Sequence, residues 1–241
     1  MADHSVIPLI ASTSIAFGGI LFTLDRLIKT PEKMLSEKNP KMVRVKRYEY
    51  ITNILSLIHA IVTWLWSCYL LINEPTAYDA PNTYGQAAFA AFSCGYFIID
   101  TIAGMHYGYN DMLMNIHHVL TIYLQIHLLY KGRFGNSYVW TLFVGEVSNP
   151  FFIVRKNLSW HKVPKIYDFV LGIIFSLSFI FFRTIVATYA MTGILGSEAT
   201  FSFKLVLAGA CELTRVSISL LVLHDCQSVY QRNQGGKVKS S

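Results

Sequence analysis

The sequence predicts an all-α polytopic membrane protein with about seven transmembrane helices. Of its 241 residues, 53% are hydrophobic and only 14% are charged, whereas soluble domains carry about 25% charged residues. The mean hydropathy is positive, and the apolar residues form long uninterrupted segments. This composition excludes intrinsic disorder, a nucleic-acid-binding module and an ordinary soluble enzyme.

The number of helices follows from the lengths of the apolar segments. A helix needs about 20 mostly apolar residues to cross the hydrocarbon core. Segments of this kind occur at residues 6–28, 49–72, 85–105, 112–130, 137–154, 166–190 and 203–226. Helices satisfy their own backbone hydrogen bonds in lipid, and the alternating pattern of a membrane β-barrel is not visible. We divide the chain into an N-terminal helix with a basic loop (1–44), the main domain (45–230) and a basic tail (231–241).

Basic residues fall mainly on one side of the predicted membrane. Seven lie within 29–47, four within 155–165 and three within 232–239, which makes 14 of the 20 Lys and Arg residues. The opposite side holds Lys131, Arg133 and Lys204. The positive-inside rule then predicts a cytosolic C-terminus and a lumenal or external N-terminus.

The basic tail also bears on localisation. Lys237 and Lys239 lie near the C-terminus and resemble a dibasic signal for return to the endoplasmic reticulum, although a disordered basic end explains them equally well. We therefore expect an integral membrane protein of the endoplasmic reticulum, with other internal membranes as the alternative.

Ionisable residues inside the predicted spans are candidates for a functional site, because each costs several kcal/mol in hydrocarbon. They are His59, Asp100, His117, His118, Glu146, Arg183, Glu212 and Arg215, with the polar residues Asn115, Gln125 and Asn149 beside them. Glu212 and Arg215 are three residues apart and are expected to pair with each other. Arg183 has no obvious partner in its own helix.

The fourth predicted span is the most polar one. Its polar residues recur at helical spacing: Asp111, Asn115, His118 and Gln125. They therefore share one face of a helix, and His117 lies about 100° away with Thr121 between the two histidines. We interpret the two imidazoles as lining one cavity. Packing histidines bonded to neighbouring helices are the alternative.

Several other candidates lie at a similar depth. His117 and His118 are about 10 Å from the cytosolic side of the fourth span, and His59, Asp100 and Glu146 are in the same half or near the midplane. At this depth these groups could meet. In the fifth span, Glu146 and Asn149 share a face, and Pro150 is expected to kink the helix.

A histidine beside a carboxylate is suited to general acid–base catalysis near neutral pH. In a membrane cavity such a pair can deprotonate an amine or hydroxyl that attacks an acyl thioester, and histidine can also act as the nucleophile. A di-iron hydroxylase or desaturase needs HxxxH and HxxHH boxes, but residue 114 is Met, so no metal site is expected. A retinal receptor is disfavoured because the seventh span has no lysine in its interior.

Five short motifs in order resemble the TLC-domain family, which includes the ceramide synthases and their non-synthase relatives. They are Asn53-Ile54-Leu55-Ser56-Leu57-Ile58-His59-Ala60, Gly95-Tyr96-Phe97-Ile98-Ile99-Asp100, His117-His118-Val119-Leu120-Thr121, Glu146-Val147-Ser148-Asn149-Pro150-Phe151-Phe152 with Arg155, and Phe181-Phe182-Arg183. The resemblance implies a six-helix barrel around a lipid cavity, with an extra N-terminal helix beside it. It also implies that His117 and His118 belong to an active site that joins an acyl group from acyl-CoA to a lipid amine.

The fifth span departs from the synthase pattern, because Glu146-Val147-Ser148-Asn149 stands where synthases carry a His-Asp-x-Ser-Asp arrangement. The chain is therefore closer to the small divergent TLC-domain proteins than to true ceramide synthases. This difference leaves ceramide synthesis itself in question and the presence of any enzyme activity open.

Two hypotheses follow. In the first, the chain is an acyltransferase with catalytic residues His117, His118, Glu146 and Asp100. Lipid or substrate would be bound by His59, Asn115, Thr121, Gln125, Asn149, Arg183 and Arg215. Acyl-CoA would be the co-substrate, without any bound cofactor, and the basic first loop would attract its phosphates or hold anionic lipid headgroups.

In the second hypothesis, the chain binds membrane lipids without turnover and acts in lipid homeostasis. It would do so alone, as an oligomer or as a subunit of a larger membrane assembly.

Overall fold

The computed structural model describes residues 6–198 and Lys204, and this part of the chain is almost entirely helical. The helices are α1 (Val6–Leu27), α2 (Glu32–Leu35), α3 (Pro40–Asn73), α4 (Tyr84–Tyr107), α5 (Met112–Lys131), α6 (Gly135–Glu146), α7 (Asn149–Leu158), α8 (Lys165–Ile180) and α9 (Ala187–Gly196), with a π-helical turn at Phe181–Val186 between the last two. No β-strand occurs within 6–198, where a single bridge joins Pro81 and Arg133.

Five helical segments of the described chain are long and apolar enough to cross a membrane. They are Val6–Leu27, Pro40–Asn73, Tyr84–Tyr107, Met112–Lys131 and Lys165–Gly196. The prediction of an all-α polytopic membrane protein is therefore confirmed. The predicted seventh span, 203–226, lies outside the described residues apart from Lys204, and with it Glu212, Arg215 and the closure of a six-helix barrel.

The second helix is longer than the apolar segment that predicted it. α3 begins at Pro40, and the side chain of Asn39 caps it by accepting a hydrogen bond from the Lys41 backbone N–H at 3.0 Å. Residues 40–48 are too polar to register as a membrane span, but the cap and the proline in the first turn favour a helix there. The helix thus extends beyond the apolar segment at its charged end.

α4 lies at the centre of the described bundle and contacts α1, α3, α5 and α6. A capping box of Thr83 and Gln86 begins α4, and Gly108 in the left-handed conformation (φ 73°) ends it. Asp111 then caps α5 by accepting a hydrogen bond from the Met114 N–H at 2.7 Å. The tight turn between these helices keeps them adjacent and antiparallel.

The N-terminal helix is in direct contact with this centre. α1 crosses α4 at Gly95, where a Cβ atom would lie 2.7 Å from the Ser14 backbone nitrogen. The Thr13 hydroxyl donates to the Ala91 carbonyl at 3.1 Å at the same crossing. Only a glycine permits so close an approach, and it lets Phe17 of α1 reach the interior, where it is 3% exposed.

The predicted fifth span, 137–154, is two helices and not one. α6 ends at Glu146, α7 begins at Asn149, and Pro150 stands in the first turn of α7. The predicted disruption at Pro150 is confirmed and is larger than a kink. Proline lacks the N–H that would continue the hydrogen-bond ladder of α6 and clashes with the preceding turn.

The connections at the two ends of the bundle differ in charge, because those at one end contain four Lys residues and those at the other a single Arg. We define the basic end as the connections 28–39, 108–111 and 159–164, and the opposite end as 74–83, 132–134 and 197–198. At the basic end, the Lys33 ammonium donates to the Ser159 carbonyl at 2.6 Å. At the opposite end, Asn82 donates to the Leu128 carbonyl at 3.0 Å and accepts from the Gly135 N–H at 2.7 Å. At each end, hydrogen bonds therefore join segments that are far apart in the sequence.

Candidate functional site

Predicted polar residues and several that were not predicted form three groups inside the described bundle. We call Gln125, Tyr138, Ser93 and His59 the His59 chain, Asp100 and His118 the His118 pair, and Gly145, Glu146, Asn149 and Arg183 the Arg183 cluster. Each group draws its side chains from at least two helices.

His59 is enclosed by aromatic rings. It is 1% exposed, and its ring stacks on Tyr96 with centroids 3.8 Å apart and planes at 12°. Phe17, Phe92 and Phe97 surround the other sides. The sequence predicted a lipid- or substrate-binding role for His59, but the structure places it in a packed aromatic cage.

A buried hydrogen-bond chain continues from His59 across four helices. His59 Nε2 lies 3.1 Å from the Ser93 hydroxyl oxygen, which accepts from the Tyr138 hydroxyl at 3.2 Å. The Gln125 amide donates in turn to the Tyr138 oxygen, while its own carbonyl oxygen is buried without a hydrogen-bond partner. The chain links α3, α4, α6 and α5, so it fixes their relative positions.

His118 lies beside Asp100, as the sequence predicted for groups at this depth. Nε2 of His118 is 3.6 Å from Oδ2 of Asp100, slightly longer than a hydrogen bond. The residues are 5% and 7% exposed. The other ring nitrogen of His118, Nδ1, is buried and has no hydrogen-bond partner. Such an atom is rare in a folded protein and calls for an explanation.

Asp100 is itself held by Tyr109 in the turn between α4 and α5. The Tyr109 hydroxyl lies 3.4 Å from Asp100 Oδ1 and also 3.4 Å from the Asp100 carbonyl oxygen. Tyr109 lies at the basic end, just after Gly108, so the turn closes the Asp100 side of the pair.

The two adjacent histidines have different environments. The rings of His117 and His118 are 5.8 Å apart at 56°, but only His118 is fully buried. Phe97 packs against His59, His117 and His118 with centroid distances of 5.6, 6.4 and 5.3 Å. The Phe97 ring therefore lies between the His59 chain and the His118 pair.

The remaining residues of the predicted polar face take separate roles. Thr121 donates to the His117 carbonyl within α5 at 2.8 Å, and Asn115 Oδ1 is buried without a hydrogen-bond partner. Asp111 is the exposed cap of α5. The face is therefore continuous from Asn115 to Gln125 but does not include Asp111.

Glu146 is hydrogen-bonded at the break in the fifth span and not to a histidine. Asn149 donates to Glu146 Oε2 at 2.8 Å and accepts from Arg183 Nη2 at 3.0 Å. The same Nη2 donates to the Gly145 carbonyl, one of the four carbonyls that a helix end leaves without an intrahelical partner. Arg183, for which its own helix offered no partner, thus caps α6 from the neighbouring span.

A small pocket with a cavity volume of about 40 Å³ lies between α6 and α9. It is lined by Trp140, Thr141, Val144, Gly145, Arg183, Ala187, Ala190, Met191 and Ile194. Neither His117 nor His118 borders it, although the sequence predicted a cavity beside them. Among residues 6–198 and Lys204, no three His, Cys, Asp or Glu side chains are grouped so as to hold a metal ion.

Part of the predicted basic surface is neutralised. Lys46 pairs with Glu37 at 2.6 Å, Arg47 with Asp25, and Lys156 with Glu49 at 2.7 Å. Because the Lys46 ammonium stands beside it, the pKa of the Glu37 carboxyl is lowered from its ordinary value. Of the seven basic residues proposed for phosphate or headgroup binding, Lys46 and Arg47 are therefore already in ion pairs.

The sequence did not indicate a site role for Ser93, Tyr96, Tyr138, Tyr109 and Phe17. A signal for two of them was present, because Ser93, Tyr96 and Asp100 are spaced by three and four residues and share one face of α4. Phe17 and Tyr109 had no such signal, since their positions depend on how α1 crosses α4 and how the turn after Gly108 is formed.

Comparison with known protein families identifies the family of the chain. The sequence model of the TLC domain matches residues 49–230, which is most of the chain and nearly the whole of the predicted main domain. No curated protein and no solved structure matches the chain.

Proposed function

Because the chain belongs to the TLC-domain family of lipid-related membrane proteins, we propose that it transfers an acyl group from a fatty acyl-CoA to a lipid amine or hydroxyl. His118 is the general base. The observation that carries the proposal is the asymmetry of its imidazole. One nitrogen faces Asp100 at 3.6 Å, and the other is buried without a hydrogen-bond partner.

This asymmetry is what a general base of this kind needs. A carboxylate beside one nitrogen orients the ring and stabilises the imidazolium, and the other nitrogen is left to take the proton. The acceptor nitrogen or oxygen attacks the thioester carbonyl while its proton passes to His118 Nδ1. The carbon–sulfur bond then breaks, and the leaving CoA thiolate takes the proton from His118, which returns to its neutral form.

The surrounding residues support particular roles in this reaction. Tyr109 positions Asp100 through the 3.4 Å contact with Oδ1. His59 is a structural residue of the cage, because its stacking and its contact with Ser93 fix its orientation. Since His118 is enclosed, the reaction requires a side-chain movement that exposes Nδ1 to the substrates.

The orientation of the chain bears on access by acyl-CoA, which is cytosolic. His118 lies six residues after the start of α5, about 9 Å from the basic end at 1.5 Å per residue. The basic end is proposed to face the cytosol by the positive-inside rule, and the membrane is proposed to be that of the endoplasmic reticulum. Glycosylation acceptor sites inserted separately into 74–83 and 28–39 test this, and modification of 28–39 alone would contradict it.

The activity is tested with purified full-length protein in lipid nanodiscs, labelled acyl-CoA and a panel of lipid amines and lysolipids. His118→Ala is expected to lower the transfer rate about 10²- to 10⁴-fold. Asp100→Asn and Tyr109→Phe are expected to lower it less, and to change its pH profile because they act through the imidazole. His127→Ala, two turns further along the same helix, is the matched control. Full activity in His118→Ala contradicts the mechanism.

A second function, lipid binding without turnover, is favoured by one specific observation. The pocket between α6 and α9 lies away from both histidines of the fourth span. A protein of this kind would act in lipid homeostasis, alone or within a membrane assembly. It predicts a lipid that copurifies with the protein and no transfer in the assay above.

A further inference from the structure

The connection that follows α7 carries an exposed serine beside basic residues. Ser159 comes directly after the last residue of α7 and is exposed to solvent. Arg155 and Lys156 lie four and three residues before it, and Trp160 follows it. The Ser159 hydroxyl donates to the Lys156 carbonyl at 2.6 Å. Kinases choose their substrates by the pattern of charge around the acceptor, and an exposed hydroxyl after two basic residues fits a kinase that selects basic substrates.

A second exposed serine at the same end of the bundle provides a comparison. Ser36 also comes directly after a helix, has Lys33 three residues before it, and donates to the Lys33 carbonyl at 2.8 Å. Its other neighbours are acidic, with Glu32 four residues before it and Glu37 directly after it. The two hydroxyls therefore have similar geometry but different surrounding charge, and Ser159 is the better substrate of the two for a kinase that binds basic residues.

Two ammonium groups are placed to hold a phosphate at Ser159. Lys33 donates to the Ser159 carbonyl at 2.6 Å. Lys156 is a neighbour of Ser159 on the helix surface because it lies three residues away, and its ammonium pairs with Glu49 of α3 at 2.7 Å. A phosphate has a charge of about −1.5 to −2 at pH 7 and three acceptor oxygens, so it attracts Lys156 more strongly than Glu49 does. The two lysines also offset the unfavourable position of an anion at a helix C-terminus.

We propose that Ser159 is a phosphorylation site for a protein kinase that selects basic substrates, and that the phosphate draws Lys156 away from Glu49. In the transfer, the serine oxygen attacks the γ-phosphorus of ATP and its proton passes to the kinase's base, while the bond to the β-phosphate oxygen breaks and ADP leaves. The modification thus removes one contact between α3 and α7, the helix whose first residue, Asn149, bonds to Glu146. It does not depend on acyl transfer, and it uses the proposed orientation only because kinases and ATP are cytosolic.

The site is tested with the purified full-length chain in lipid nanodiscs, where both membrane faces are open to the kinase. The chain is incubated with ATP and a panel of basic-selective kinases, or with casein kinase 2, which selects acidic substrates, as the control. Phosphopeptides are mapped by mass spectrometry. A basic-selective kinase is expected to label Ser159 at least about tenfold more than Ser36. Lys156→Gln is expected to lower labelling of Ser159 about tenfold, whereas Lys38→Gln, which removes one charge at the same end, leaves it unchanged.

The change of ion pair is tested with a carbodiimide, which links an ammonium directly to a carboxylate in contact with it. Phosphorylation of Ser159 is expected to lower the yield of the Lys156–Glu49 crosslink about fivefold. The Lys46–Glu37 pair, at 2.6 Å at the same end, is the internal control and should crosslink equally before and after. Ser159→Ala treated with the same kinase should keep both crosslinks.

Absence of phosphate at Ser159 with every basic-selective kinase overturns the site, as does labelling of Ser36 equal to that of Ser159. An unchanged Lys156–Glu49 crosslink in the phosphorylated chain overturns the change of ion pair. The labelled residue is mapped on the unaltered chain, so the site is decided even where a variant fails to fold. His118→Ala should leave labelling of Ser159 unchanged, which distinguishes failure of the transfer mechanism from failure of this proposal.

Discussion

His59 and Arg183 both carry polar groups into an apolar bundle, and their hydrogen bonds are satisfied in different ways. His59 sits on a regular helix, and its contact is a side chain on the next helix, Ser93 at 3.1 Å. Arg183 sits in a π-helical turn and donates to the backbone carbonyl of Gly145. This carbonyl lies at the end of α6, where no N–H of the helix is left to bond with it.

The difference is also seen in packing. The His59 chain crosses four helices, and at its end the His59 ring is surrounded by aromatic rings. The Arg183 cluster lies where two spans depart from regular helix, and the pocket opens beside it. Regular helices joined by side chains give a packed interior here, whereas irregular backbone gives space and exposes backbone groups.

The largest effect is expected where α1 packs closely against α4 beside the aromatic cage of His59. Gly95→Leu places a side chain against Thr13 and Ser14 of α1 and displaces Phe17 from the cage. We expect a loss of about 3 kcal/mol of stability, since overpacking at a tight crossing forces the backbone to shift. Thermal unfolding in detergent measures it. Gly19→Leu, where a Cβ has open space, is the control, and an equal loss there would contradict the prediction.

The next largest effect is expected in the Arg183 cluster. Asn149→Ala removes both the acceptor for Arg183 and the donor to Glu146. Each bond involves an ionisable partner, so we expect a loss of about 2 kcal/mol. The control is Asn73→Ala, whose side chain donates to the Tyr69 carbonyl on an exposed surface. If both variants unfold at the same temperature, the cluster does not contribute to stability.

A smaller effect is expected within the His59 chain. Tyr138→Phe removes the hydroxyl that joins Gln125 to Ser93, and interhelical hydrogen bonds in membranes contribute about 1 kcal/mol. Tyr130→Phe, on an exposed side chain, is the control in the same unfolding assay. Adding Gln125→Leu to Tyr138→Phe should recover stability, because both partners are then apolar. A further loss in the double variant would refute this account.

The smallest effect is at the opposite end, where residues 74–83 meet the end of α9. The Glu198 backbone N–H donates to the Asp79 carboxylate at 2.8 Å, and this bond lowers the pKa of Asp79 from its ordinary value. A lowered pKa in the folded state stabilises the protein above the unfolded-state pKa, and this contribution is lost as pH falls through the folded value.

Asp79→Asn is therefore expected to lower the unfolding temperature slightly at pH 7, with the difference from the unaltered chain disappearing below about pH 4. Glu198→Gln keeps the backbone donor and serves as the control. A difference that grows as the pH falls would have the wrong sign and would exclude this role for Asp79.

The sequence predicted the helices better than their ends. Apolar length located α1, α3, α4, α5 and the sixth span to within a few residues at most of their ends, because lipid imposes that length on any spanning helix. It underestimated α3, whose first turns are polar and depend on the Asn39 cap. It did not indicate the π-helical turn Phe181–Val186, because Phe-Phe-Arg-Thr-Ile-Val has the composition of ordinary helix.

For the site, spacing along one helix was informative and contacts between helices were not. Depth alone indicated that His118 and Asp100 could meet. Whether Glu146 joins them could not, because its bond to Asn149 depends on where α6 ends. The aromatic cage of His59 depends on Phe17, which reaches it only because Gly95 lets α1 approach α4 closely.

The break between α6 and α7 has a consequence for how the chain enters a membrane. At 1.5 Å per residue, the 12 residues of α6 and the 10 of α7 rise about 18 Å and 15 Å, and the hydrocarbon core is about 30 Å thick. Neither half spans the core alone, so both must insert together for this span to cross the membrane. Once inserted, the two halves are joined by the Asn149–Glu146 hydrogen bond and by Arg183, which bonds to both, so the angle between them depends on side chains and not on a continuous helix.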